Sequence, residues 1–66
     1  MTPAEYDALR VRLQLSHASA AALLGVEPAT SRRWSDGTRE MPGPATRLLW
    51  AIERDPGLVL ELLALS

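Results

Sequence analysis

Two adjacent arginines, Arg32 and Arg33, are the residues of this chain best equipped for chemistry with another molecule. A guanidinium presents a planar fork of donors that pairs bidentately with guanine, carboxylate or phosphate. Arg39 and Arg47 extend the basic cluster, opposed within it only by Asp36 and Glu40. Arg39 stands in a stretch of loop composition, Asp36 to Pro44, where its side chain and free backbone N–H groups could clamp a phosphate. His17 is the one histidine and there is no cysteine, so no metal centre is expected. The other carboxylates lie mostly toward the ends: Glu5, Asp7, Glu53, Asp55 and Glu61. No nucleophile–base pair, carboxylate constellation or Gly-rich phosphate cradle stands out, so neither an enzyme nor a cofactor is expected.

The arginine pair needs a helix to present it. Residues 17–24 read as a short helix of small and apolar residues, among them Ala20, Ala21, Leu23 and Leu24, ended by Gly25. Val26 plugs the corner. Pro28 opens a second helix, where its fixed φ and missing N–H do no harm. That helix carries Thr30, Ser31, Arg32, Arg33 and Trp34 and breaks at Gly37. Glu27 falls at its N-cap, where a carboxylate suits the positive helix end; accepting from a cytosine amino group is the second role open to it. Trp34 reads as core. If Ser31 faces the seam between the two helices, its hydroxyl is expected to bond the carbonyl one turn earlier. Two short helices joined by a Gly-containing turn, the second bearing adjacent arginines, outline a DNA-binding helix-turn-helix.

Flanking helices complete an all-α domain of about five helices. Thr2, Pro3 and Glu5 make a helix start with a capping box, followed by a Tyr6, Leu9, Leu13 stripe with Val11 off it. Arg10 and Arg12 read mainly as solvated. Ser16 is a natural N-cap for the helix at His17. A further helix restarts at Pro44 or Thr46 and runs to Glu53, with Ala45, Leu48, Leu49 and Ile52 inward and Trp50 off the stripe between Arg47 and Arg54. Leu58 to Leu65 is apolar nearly all round, which marks a buried helix. Sixty-six residues allow one small domain of marginal stability alone, and oligomerisation is a common supplement. The net charge of −1 opposes nucleic-acid binding in total, but the local charge at a docking face matters more. No signal peptide or membrane-length apolar run is present, so a cytoplasmic location is the default.

The chain resembles the Cro/repressor (Xre-like, lambda-repressor-like) helix-turn-helix family over residues 5 to 63. The resemblance rests on Ala21, Gly25-Val26, Thr30, Arg33-Trp34, the exit loop from Gly37 to Pro42 and the apolar helix near Thr46. It departs at His17, where the family has an amide, at Ser31 in place of Val or Ile, at Ser35 in place of Glu, and in an exit loop about one residue longer. These departures bear on DNA sequence preference more than on fold. The resemblance implies base reading by Arg32 and Arg33, with Pro28 and Ala29 near base edges, and phosphate contacts from His17, Thr30, Arg39 and Arg47. It further implies a small autoregulating repressor of a phage, plasmid or other mobile element, of antitoxin or anti-CRISPR-associated type, whose partners are double-stranded DNA, itself and, in the antitoxin case, a toxin or other protein.

A dimer is also expected from the residues themselves. The leucines of the last helix, including Leu58, Leu60, Leu62, Leu63 and Leu65, cannot all face one small core. The interface is therefore assigned to Trp50, Leu58, Leu62 and Leu65, within a dimerisation helix at about residues 56–65. A protein-interaction module that keeps the helix-turn-helix only as scaffold is the alternative.

Overall fold

The computed structural model describes residues 1–65 and is all helical: α1 (Pro3–Arg12), α2 (His17–Leu24), α3 (Pro28–Asp36), α4 (Gly43–Arg54) and α5 (Leu58–Leu65). Local chemistry sets most of the helix ends. At α1, Thr2 Oγ1 accepts from the Glu5 N–H at 3.1 Å and Glu5 Oε1 accepts from the Thr2 N–H at 3.0 Å, the reciprocal capping box. Ser16 Oγ accepts from the Ser19 N–H at 3.1 Å and caps α2. Gly25 (φ 71°) and Gly37 (φ 82°) end α2 and α3 in the left-handed conformation that a side chain would strain. Glu27 is the N-cap of α3 but makes no side-chain capping bond.

One boundary differs from expectation. Helix α4 begins at Gly43, before Pro44, with Pro42 as its cap and the Thr46 N–H bonded to the Pro42 carbonyl at 3.1 Å. Pro44 is harmless there because a first-turn N–H has no helical acceptor in any case. Helix α5 starts at Leu58 after a turn in which the Leu58 and Val59 N–H groups reach back to Asp55 and Pro56. Between α1 and α2, Gln14 takes a positive φ of 58°, and the Leu15 N–H bonds the Arg10 carbonyl at 2.9 Å.

The core is one cluster of Tyr6, Leu9, Leu15, Ala20, Leu23, Trp34, Leu49 and Ile52. Tyr6 and Trp34 meet edge to face, with ring centroids 5.7 Å apart and planes at 89°. Val11 is exposed, and Ala45 and Leu48 are half-buried. Helix α3 packs on α2 and α1, and α5 packs on α2. Among the described residues α5 buries none completely: Leu58, Val59, Leu62 and Leu63 lean on the core, while Leu60 and Leu65 are 76% and 83% exposed. The radius of gyration, 10.6 Å, matches the roughly 11 Å of an ordinary domain of this length, so α5 lies along the body. Among the described residues no helix is long and apolar enough to cross a membrane.

Candidate nucleic-acid interface

Helix α3 has a held side and an open side. Ala29, Arg32, Arg33 and Asp36 follow i, i+3, i+4, i+7 spacing and so share one face. Both arginines and Asp36 are exposed; Ala29, Pro28 and Thr30 are half-buried. The other side is fastened to α1 and α2. Ser31 Oγ, fully buried, lies 2.5 Å from Tyr6 Oη and 2.8 Å from His17 Nδ1. One turn on, the Ser35 hydroxyl donates to Asp7 Oδ1 at 2.6 Å. The same carboxylate accepts from Arg10 at 3.1 Å, and Arg10 also donates to the Leu15 carbonyl at 2.8 Å. Trp34, 3% exposed, fills the core between these anchors.

The electrostatics follow from this network. Hydrogen bonds from Ser35 and Arg10 hold the Asp7 carboxyl below its ordinary range. Burial pushes the Tyr6 phenol up against the opposing bond to Ser31. Burial, helped by the charges of Arg10 and Arg32 and opposed by Asp7, lowers the His17 pKa. The Thr38 hydroxyl and N–H both donate to Asp36 and keep it ionised to lower pH.

The expectation for Ser31 is corrected. Its hydroxyl bonds Tyr6 and His17 rather than the carbonyl one turn back, because the seam offers it two side-chain partners. The structure thereby brings together a serine and a histidine that sequence spacing did not pair. Ser31 is 0% exposed and its oxygen is shared with Tyr6, so no substrate can reach it; the pair is a structural tie. The available signal was a hydroxyl at a seam position, since a buried polar group needs a partner.

The phosphate candidates are scattered over several elements. His17 is half-buried with Nδ1 committed to Ser31, so a phosphate would meet Nε2 or the backbone N–H of the first turn of α2. Arg39 is exposed in the loop between α3 and α4. The loop's backbone is less available than expected: the Thr38 N–H bonds Asp36 and the Arg39 N–H bonds the Arg33 carbonyl at 3.3 Å. Arg47 is on α4, in line with Trp50, Ala51 and Arg54, along a groove of about 790 Å³ whose other wall is α1. Arg12 and Glu53 form an ion pair across that groove at 3.6 Å. Trp50 is 52% exposed in it. Of the residues assigned to a dimer interface, Trp50 and Leu65 are open, whereas Leu58 and Leu62 pack against the core and Leu60, outside that set, is open.

The described residues thus form an all-α five-helix globule with an arginine-bearing helix face held from behind. Comparison with family models, with curated proteins and with solved structures finds no match.

Proposed function

We propose that this protein binds duplex DNA in a sequence-specific manner, with α2 and α3 acting as a helix-turn-helix and α3 entering the major groove. The observation that carries the reading is the open face of α3, with Arg32 and Arg33 beside the small Ala29, on a helix clamped at Ser31, Trp34 and Ser35. Nine residues make a rod of roughly 13 Å, and a helix fits the ~12 Å major groove. On this reading the arginines pair with guanine O6 and N7, while Pro28 and Ala29 lie against thymine methyls. Thr30, His17, Arg39 and Arg47 take phosphates. Binding as a homodimer to an inverted-repeat operator would repress by occupying DNA, including that of the protein's own promoter, in the cytoplasm. A mobile-element regulator, an antitoxin and an anti-CRISPR-associated regulator all fit this outline.

Footprinting on the DNA upstream of its own gene tests the proposal: a protected inverted repeat supports it, and the absence of protection at saturating protein rejects autoregulation. A second reading, a protein-interaction module, is favoured by the net charge of −1 and the exposed Leu60 and Leu65. Titration with random duplex DNA at low and moderate salt separates the two, since a DNA binder shows salt-dependent affinity.

A further inference from the structure

The hydrogen-bond chain of Tyr6, Ser31 and His17 joins α1, α3 and α2, and simple bookkeeping places its protons. A neutral imidazole has one N–H and one bare nitrogen, and each hydroxyl donates one hydrogen. Tyr6 Oη, on a residue 1% exposed, has Ser31 Oγ as its one hydrogen-bond partner among the described residues. Ser31 Oγ, wholly buried, has Tyr6 Oη at 2.5 Å and His17 Nδ1 at 2.8 Å and no third partner among them. In one arrangement Tyr6 donates to Ser31 and Ser31 donates to a bare Nδ1, which uses every hydroxyl hydrogen. In a second, Nδ1–H donates to Ser31 and Ser31 donates to Tyr6, which leaves the phenolic hydrogen in the core without an acceptor. In a third, both neighbours donate to Ser31 and the serine hydrogen is orphaned. A buried unsatisfied donor lowers a population by roughly tenfold or more, so the first arrangement holds. The ring proton of neutral His17 then sits on Nε2, which makes no hydrogen bond among the described residues and is not buried. Charging the ring would protonate Nδ1 and force one of the two poorer arrangements. Arg10 on α1 and Arg32 on α3 also oppose an imidazolium, Asp7 on α1 favours it, and α2 carries no other charge.

We propose that Tyr6 is a positioning residue of the DNA contact at the start of α2: through Ser31 it fixes neutral His17 with its proton on the unburied Nε2, so that the ring meets a phosphate oxygen as an uncharged donor rather than as a cation. The phosphate half of this assignment rests on α2 and α3 binding DNA; the tautomer rests on the hydrogen-bond chain alone.

The experiment is long-range ¹H–¹⁵N NMR of the ¹⁵N-labelled full chain at about pH 7.5, above the ordinary histidine value of 6.5, which separates a protonated ring nitrogen from a bare one. His17 is the chain's one histidine, so its ring signals need no assignment. The expected result is an excess of the Nε2–H form over the Nδ1–H form of about tenfold or more. In Tyr6→Phe, checked for a dispersed amide spectrum, that excess should fall several-fold, because Ser31 no longer has to accept from the phenol. Ser31→Ala, which severs the chain at its middle, is the second variant and should lower the excess likewise. A wild type with its proton mainly on Nδ1 overturns the proposal. So does a wild-type ratio in Tyr6→Phe or, if that variant does not fold, in Ser31→Ala. Random duplex DNA at low salt is then added to the wild type. The Nε2 resonance should shift saturably while Nδ1 stays bare; protonation of both nitrogens in the complex overturns the uncharged-donor role. A complex that shifts the α3 amides but not the His17 ring rejects the phosphate contact. No response of any resonance rejects DNA binding itself, and the DNA-free spectra still decide the tautomer.

Discussion

Arg32 and Arg33 leave α3 on the side away from Tyr6 and Asp7, and nothing in the fold needs their charge. Their removal should therefore spare stability and act on binding. Arg32→Ala or Arg33→Ala should cost about 1–3 kcal/mol of operator affinity, with relaxed preference at one base pair, as read by anisotropy titration against single-position operator variants. Unchanged affinity in both variants would remove the base-reading role. Arg39 belongs to a different class of contact. Its truncation should weaken operator and random duplex alike and reduce the salt slope by about one charge; loss confined to the operator would make it a base reader. His17 gives a pH signature. Its pKa in the folded chain lies below the ordinary histidine value of 6.5, so the unfolded chain binds more protons as pH falls through that range. The stability tied to neutral His17 is complete above pH 6.5 and is lost as pH falls toward the folded-state pKa. Asp7, with its lowered pKa, adds a second loss as pH falls through the ordinary aspartate value of 3.8. Thermal melts should show the wild type falling on acidification from neutral pH and His17→Gln falling less; identical profiles would mean that His17 does not sense pH.

At the scale of elements, what could be read from the chain was what neighbours in sequence decide. Thr2, Pro3 and Glu5 start a helix within four residues, and Gly25 and Gly37 stop two more, so these ends follow from local bonding and φ. The arginine face of α3 was legible for the same reason, because helical spacing places Ala29, Arg32 and Arg33 together. The rear of that helix was not. Tyr6 to Ser31 spans 25 residues, His17 to Ser31 spans 14 and Asp7 to Ser35 spans 28, and no local rule links them. Helix α4 starts one residue before Pro44, which the loop composition of the stretch around Gly43 concealed, whereas a first turn tolerates both the glycine and the proline. The Ser31 tie yields an element-scale prediction. Ser31→Val should destabilise the domain by about 1–3 kcal/mol, since it strands the Tyr6 hydroxyl and the His17 nitrogen. Adding Tyr6→Phe should recover part of that loss, because removing both partners is cheaper than orphaning one. Urea unfolding of the two single variants and the double variant measures the coupling; strict additivity would mean that the bond contributes nothing.

At the scale of the whole molecule, the unresolved demand is apolar surface. The half-buried leucines of α5, Leu58 and Leu62, already serve the monomer's core, so a charge at either would damage the fold and say little about assembly. Leu60 and Leu65 are the informative positions, at 76% and 83% exposed, with Trp50 half open on α4. A leucine moved from this exposure to a buried interface gains roughly 1.5–3 kcal/mol before the costs of association. A two-fold pair would also set two copies of α3 on successive major-groove faces, about 34 Å apart, as an inverted-repeat operator requires. The expected result is a scattering mass near twice that of the chain at tens of micromolar. Leu60→Glu or Leu65→Glu should reduce it to one chain mass with the helical spectrum intact, because a carboxylate in an apolar interface has no partner. Operator affinity should fall in the same variant, while random-duplex affinity per chain should hold, since the arginines are untouched. A wild type that scatters as a single chain, with neither substitution changing its DNA binding, would leave Leu60 and Leu65 as surface leucines and the operator as a site for one copy of α3.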